Sequence, residues 1–399
     1  MFSVWYLDDG TIVGSRSAIL EFLSQVEILG SPLGLFLNKQ KCELFWPSGD
    51  QSFLDFPLEL RRPSDGLDLL CSLVWGSDNF FDSYFASKVD RTRRLQELLC
   101  FLEDPQCEFH LLRSCLNVCK VTHLLCTVPP NRATHQLHNF DIGLRQALEK
   151  IIRCSISDRT WSQATLPSRF GGLGLRCSVR TAPAAFLASC CSSLSIVTAL
   201  LNRFNEGNRV STTCIPGEAE ARNCPQHLLP DWSIPDSPSQ HSLQDALDHH
   251  QFHLLFNTSS IRDRAHLNSL HSSKFTGAWL QAIPNPNLGL SLIASEFICA
   301  LRYWLSIPFF DSSRCCSCNL TLDPHGDHLL GCGHGPLRIR RHDALCHIVF
   351  QALLQDNSQV KREQHFSAIL LHNQVTFSTQ TLQMVVLHIL TVTACNQSF

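Results

Sequence analysis

Two acids stand side by side near the start of the chain, Asp8 and Asp9, in the run Val4-Trp5-Tyr6-Leu7-Asp8-Asp9-Gly10-Thr11-Ile12-Val13-Gly14. β-prone residues flank them, and Asp9-Gly10 is a strong hairpin-turn signal. The pattern predicts a hairpin that carries both carboxylates at its tip. Paired carboxylates suit Mg²⁺, a hard cation that takes oxygen ligands and nearby phosphates. Taken alone, an Asp-Asp-Gly turn is more often an ordinary solvated turn.

A second group lies far downstream: Cys315-Cys316-Ser317-Cys318, then His325, His328, Cys332 and His334. Thiolates and imidazoles in this density can complete a tetrahedral zinc site. The most economical set is Cys316, Cys318, His328 and Cys332, because His328-x-x-x-Cys332 is a spacing one helical turn presents on one side. Cys315 is an alternative to Cys316, and His325 to His328. Asp323-Pro324-His325-Gly326-Asp327 would form the turn between the ligand pairs. The spacing matches neither the common two-Cys two-His finger nor the retroviral nucleocapsid knuckle. The opposing reading is a cysteine-rich loop without metal, since the chain has 20 cysteines in all.

Stepping outward from these groups, Ser17 to Leu29 places Ile19, Leu20, Leu23 and Val26 at helical spacing, with Gly30 and Pro32 as stop signals. Gly34 to Cys42 begins with alternating apolar residues and reads as a strand. Leu67 to Trp75 is strand-like. From Phe80 to about Leu201 the pattern is helical. Val89, Leu95, Leu98, Leu99 and Leu102 fit one helix, ended near Asp104-Pro105. Leu111, Leu112, Cys115, Leu116, Cys119, Leu124 and Leu125 fit a second, ended by Pro129-Pro130. Leu137 to Ile152 fits a third. Leu166 to Arg176 is a glycine-rich turn without the Lys-Ser/Thr ending of a phosphate loop, so it reads as structural. Asn205 to Ser242 reads as a linker. Helices resume from Leu243 to about Ile283 and from Leu290 to Leu305. Arg338-Ile339-Arg340-Arg341 opens a last helix with Leu345, Ile348, Val349, Ala352 and Leu353 on its apolar face.

The chain has 399 residues, room for two or three domains, and a formal net charge of only −3. It lacks the global basic excess of many nucleic-acid binders, so any such contact would depend on local patches. Arg91, Arg93 and Arg94 form one patch, and Arg338, Arg340 and Arg341 another. The first is more often a solvated helix face. Met1 leads directly into a strand-like run, with no secretory pattern. The cysteines are therefore expected to be reduced thiols, some of them metal-bound, in an intracellular protein. No stretch reads as long and apolar enough to span a bilayer; the best candidate, Met384 to Ala394, is short.

The Tyr-x-Asp-Asp hairpin, the helix after it, and Gly-Leu-x-Leu-Asn-x-x-Lys-Cys over Gly34–Cys42 together resemble the end of a reverse-transcriptase palm. The Cys-Cys-His-Cys pattern with its basic helix resembles the knuckle late in retrotransposon proteins that lack long terminal repeats. The resemblance covers about Val4 to Glu363. It implies an α+β, mostly α chain: a partial palm over 1–79, helical thumb-like and post-thumb regions over 80–204, a linker over 205–242, a helical region over 243–310, the knuckle and basic helix over 311–363, and a divergent tail over 364–399. Leu73-Val74-Trp75-Gly76-Ser77 loosely resembles the hairpin that grips a primer end.

The resemblance further implies RNA-templated DNA synthesis. Asp8 and Asp9 would be magnesium ligands, and Lys41 the general acid for departing pyrophosphate. An RNA template and a DNA primer or target DNA would be the partners. The fingers and the earlier palm acid of such enzymes have no counterpart here, so the expectation is no polymerase activity unless a partner chain supplies them. No endonuclease is expected, because the resemblance fades after Glu363. The competing reading is a non-catalytic nucleic-acid-binding remnant; a third is a gene fragment without function.

Overall fold

The computed structural model describes residues 2–6, 9–46, 55–204, 239–273, 275–310, 315–332, 339–340, 342–344, 346–347 and 350. These residues form an α+β, mostly helical chain with two small antiparallel sheets. The chain divides into two compact units, Met1–Phe81 and Asp82–Phe399. The tail and nearly all of the expected linker lie outside the described residues, as do Leu345, Ile348 and Val349.

In the first unit, β1 (Phe2–Tyr6) pairs antiparallel with β2 (Asp9–Val13), Tyr6 opposite Asp9 and Trp5 opposite Gly10. The Trp5 ring lies over Gly10, where a Cβ would come within 2.6 Å of it. The same ring packs 6.4 Å from Phe22 of α1 (Arg16–Gly30). Ser15 caps α1 by accepting from the Ala18 N–H. Ile19, Leu20 and Leu23 then pack on Leu44, Phe56 and Leu60, as their helical spacing predicts.

The strand expected over 34–42 does not form. After α1 the chain makes a 3₁₀ turn, Ser31–Leu33, with Gly34 at φ 73°, and a second one over Lys39–Lys41. Backbone donors there go to local carbonyls, Leu35 N to Gly30 O and Lys41 N to Asn38 O, each 3.0 Å. A strand needs a neighbouring ladder for those groups, and the pairing at the end of this segment is an isolated bridge, with Arg61 N donating to the Cys42 carbonyl at 2.9 Å.

The stretch 67–75 is a hairpin instead of one strand: β3 (Gly66–Leu69) and β4 (Ser72–Gly76) pair antiparallel. Its loop is Leu70-Cys71, at φ 51° and 61°. Two-residue loops with both φ positive normally carry Asn-Gly, so the sequence hides this turn.

In the second unit, α2 (Asp78–Leu98) starts at the boundary and continues in a 3₁₀ turn, Leu99–Leu102. The expected stripe is only partly buried. Phe85, Val89, Thr92, Gln96 and Leu99 face inward, whereas Leu95, Leu98 and Leu102 stay exposed. Gln96 is tolerated inside because its side-chain amide donates to the Leu116 carbonyl at 2.9 Å.

The single helix expected over 111–125 is broken into α3 (Pro105–Cys115) and α4 (Thr122–Thr127). Asn117 breaks it. Its Oδ1 accepts from Val118 N (2.8 Å) and Arg176 N (3.1 Å), and its Nδ2 donates to the Gly174 carbonyl (3.0 Å). Side-chain bonds of this kind compete with helical ones. Asp104 caps α3, with Pro105 at the first helical position.

The remaining helices are α5 (Thr134–Ile152), α6 (Asp158–Ala164), α7 (Ser178–Phe204), α8 (Gln240–Thr258), α9 (Ile261–His271) and α10 (Ala294–Trp304). The main core joins Phe109 and Leu112 of α3, Leu144, Leu148, Ile151 and Ile152 of α5, and Phe297, Leu301 and Trp304 of α10.

The glycine-rich segment is a structural turn at the edge of this core. Gly172 touches carbonyls so closely that a Cβ would lie 2.0 Å from the Leu166 oxygen. The Gln163 side chain donates to the Gly171 and Trp304 carbonyls, and the Trp304 indole N–H to the Gly172 carbonyl. Arg176 pairs with buried Asp248 of α8 at 2.5 Å.

Contrary to the sequence expectation, the described residues include one helix of spanning length. The α7 run Ser178–Ala199, 22 residues, is long and apolar enough by length and composition to cross a membrane. Its Ala184, Leu187, Ala188 and Cys191 pack on Leu243 and Leu247 of α8.

Candidate metal centre

The chemistry-bearing residues that converge in space are Cys316, Cys318, His328 and Cys332. Their ligand atoms all lie within 4.8 Å of one another, and among the described residues they form the one such group.

Two local devices build it. The first is a knuckle after Cys315. Cys315 bridges to Thr321, Cys316 N donates to the Leu320 carbonyl (2.9 Å), and Asn319 N donates back to the Cys316 carbonyl (2.9 Å). Asn319 takes φ 64°, the left-handed conformation that Asn tolerates better than most residues. This tight return brings the Cys316 and Cys318 sulfurs to the same side.

The second device is α11 (Asp327–Gly331), a short helix that starts after Gly326 at φ 78°. The Asp323 carboxylate accepts from the N–H groups of His325 (3.0 Å), Asp327 (3.0 Å) and His328 (2.7 Å). That satisfies donors at the helix start which have no intrahelical partner. The expected 323–327 turn is therefore present, with Asp323 as its organiser. α11 then presents His328 and, one turn on, Cys332, whose N–H donates to the His328 carbonyl at 2.8 Å.

The geometry discriminates between the sequence alternatives. Cys315 is exposed and His325 turns elsewhere; neither belongs to the converging set. Cys316 and Cys332 are 8% and 6% exposed and Cys318 and His328 are half-buried; four protein donors leave no position for substrate, as in structural sites. Their sulfurs are 3.7 Å apart. A disulfide needs about 2.05 Å. Two sulfurs on a tetrahedral ion with bonds of about 2.3 Å sit about 3.8 Å apart. Cys318 Sγ and His328 Nε2 are 3.1 Å apart, close enough for one donor atom to hydrogen-bond the other.

The electrostatics favour one thiolate. The Cys316 thiol is pulled down to about 6, first by a backbone hydrogen bond from Cys318, against the effect of burial. At Cys318 a backbone hydrogen bond from Leu320 favours the thiolate, but burial and the neighbouring Cys316 and Cys332 sulfurs outweigh it and hold its thiol up. Three sulfurs cannot all carry charge in one small site without a cation among them. The donor set, three sulfurs and one imidazole nitrogen, fits a divalent metal ion of borderline softness.

The centre is tied to the helical body by a residue without any sequence signal. Arg262, near the start of α9, donates from Nε and Nη2 to the two Asp327 carboxylate oxygens, both at 2.8 Å, and from Nη1 to Ser306 Oγ at 2.6 Å. The Tyr303 hydroxyl reaches Asp327 at 3.4 Å, and Phe309 N donates to the Pro324 carbonyl at 2.7 Å. The hydrogen bond from Arg262 holds the Asp327 carboxyl below its ordinary range.

The other site residues do not meet in this way. Asp8, Arg338 and Arg341 lie outside the described residues. Asp9 is exposed as the first residue of β2, and Lys41 is exposed at the end of the Lys39–Lys41 turn. Arg91, Arg93 and Arg94 are exposed on α2, and Arg93 is engaged with Glu97 (3.5 Å) and Gln146 (3.4 Å). Arg340 is exposed in helical backbone.

No family model, no curated protein and no solved structure matches this chain.

Proposed function

We propose that this chain is part of an RNA-directed DNA polymerase of a retroelement lacking long terminal repeats, and that Cys316, Cys318, His328 and Cys332 hold a structural zinc ion in a nucleic-acid-binding module. The observation that supports the zinc site is the closed convergence of four ligand atoms within 4.8 Å. Zinc would supply the charge that lets three thiolates share one small site, and would staple the knuckle to α11. Arg338, Arg340 and Arg341 follow directly and would contact phosphates; Arg91, Arg93 and Arg94 would do so on α2.

The polymerase part rests on the resemblance. It is supported by the β1–β2 hairpin, which sets Asp9 opposite Tyr6. Asp8 and Asp9 would bind magnesium, and Lys41 would donate a proton to the leaving pyrophosphate. The rival reading, a binding remnant without catalysis, is favoured by the metal centre being assembled from this chain's residues alone.

The test is zinc stoichiometry by atomic emission, paired with a gel shift on RNA and on DNA at rising salt. One zinc per chain and salt-dependent binding, both lost in Cys318→Ser, are expected. A chain with one zinc that shifts no nucleic acid at any salt keeps the metal centre and loses the binding module. Primer extension on an RNA template, abolished by Asp8→Asn, would decide for the polymerase over the remnant.

A further inference from the structure

Arg262 lies 54 residues before Cys316, yet it is the side chain that grips the ligand-bearing helix of the metal centre. Both of its bonds to Asp327 are 2.8 Å, in the fork geometry that an arginine and a carboxylate share. Asp327 is the first residue of α11, next to His328 and five positions before Cys332. Arg262 is also held from behind, by Ser306 at 2.6 Å and by Asp263 at 3.4 Å. His266, one turn along α9, bonds to the Trp304 carbonyl and stacks edge-on against Tyr303. The fork therefore joins α11 to a wall made of α9 and the end of α10, which belongs to the main core.

We infer that Arg262 is a positioning residue for the metal centre, and that through its fork with Asp327 metal binding and the packing of α9 on α10 are thermodynamically coupled. The inference rests on the zinc reading above. A helix of five residues has no stability of its own. Its orientation must come from elsewhere, from Asp323 at its start and from whatever holds Asp327. If Arg262 fixes that orientation, His328 and Cys332 are aimed before metal arrives. Coupling of this kind is reciprocal: metal that steadies α11 must also steady α9 through the same fork. Outer partners that orient metal ligands typically change affinity by about 10–100-fold when removed.

The experiment is competitive zinc titration of the full chain against a chromophoric chelator, with hydrogen exchange of α9 in the zinc-loaded and zinc-free protein. Arg262→Gln and Asp327→Asn should each weaken zinc binding about tenfold, and the double variant should be no weaker than either single one. Zinc should slow exchange over Ile261–His271 in the parent and not in either variant. Arg145→Gln is the control. Arg145 lies on α5 and bonds Asp158 and the Ile156 carbonyl, away from α9, α10 and α11, so its loss should lower stability and leave zinc affinity unchanged. Should Arg262→Gln fail to fold, Asp327→Asn tests the same fork from its other end.

A parent chain that binds one zinc, with variants within twofold of it, overturns the coupling and spares the metal centre. An equal loss of affinity in Arg145→Gln also overturns it, because the effect would then be general destabilisation. A parent chain that binds no zinc removes the metal reading and this inference together.

Discussion

The sulfurs of Cys316 and Cys332 touch at 3.7 Å without bonding. They come from two devices 16 residues apart in sequence, the knuckle and the short helix, and both are buried. The separation is that of two ligands on one tetrahedral ion rather than of a disulfide. Cobalt titrated into the reduced, zinc-free chain should therefore give the visible absorption of a tetrahedral ion with thiolate charge transfer. Cys316→Ser and Cys332→Ser should each reduce that signal, whereas Cys315→Ser and His325→Gln should leave it intact. Loss of the signal in Cys315→Ser would mean that the neighbouring cysteine is the ligand.

Asp248 is 1% exposed and faces Arg176 at 2.5 Å. Removing the carboxylate leaves a partly buried guanidinium without its counter-charge. Asp248→Ala should cost about 3 kcal/mol, read as a drop in the urea midpoint. A loss below about 0.5 kcal/mol would place the pair in the class of weak surface bridges instead.

The Leu70-Cys71 loop holds two residues at positive φ without glycine or asparagine. Replacing them with Asn and Gly should raise the stability of the first unit by about 1–2 kcal/mol, because each left-handed L-residue carries about 1 kcal/mol of strain. Thermal unfolding of the double variant is the measurement. A lower melting temperature would show that the Leu70 and Cys71 side chains contribute more than their backbone costs.

His266 is 9% exposed, and burial pushes its pKa below the ordinary 6.5. Below pH 6.5 the unfolded chain takes up a proton that the folded chain refuses, so stability present above that pH is lost as pH falls toward the depressed value. His110 is shifted the same way. Urea midpoints at pH 7.5 and 5.5, taken with chelator present so that metal release does not contribute, should fall on acidification. The fall should be smaller in His266→Gln. An equal fall in parent and variant would assign the pH dependence to other groups.

If α2 contacts a nucleic-acid backbone, Arg91→Ala and Arg94→Ala should each lower the salt slope of binding by about 1. Arg93→Ala should do less, since Arg93 is already engaged by Glu97 and Gln146. Unchanged slopes in all three would leave α2 as a solvated face.

Short-range chemistry was legible in the sequence. Gly30 and Pro32 at the end of α1, the stop near Asp104-Pro105 after the Leu99–Leu102 turn, and the knuckle cysteines with His328 one helical turn from Cys332 all act over a few residues. For these, side-chain type and spacing already decide the local geometry. The four-ligand set chosen from the sequence is the set that converges.

What the tertiary structure decided is everything that depends on a distant partner. The 34–42 segment has strand-like alternation but no ladder to join, so it closes local turns instead. Asn117 looks ordinary until Gly174 and Arg176 arrive to bond it and end a helix that periodicity would continue. α2 carries two apolar faces, and burial of Gln96 against the Leu116 carbonyl marks the one that packs inward. Arg262 has no local signal at all: its role exists only because folding brings Asp327 within 2.8 Å of it. Periodicity and motif spacing encode what a residue offers; which offer is taken up depends on desolvation and pairing with groups that only the fold brings near.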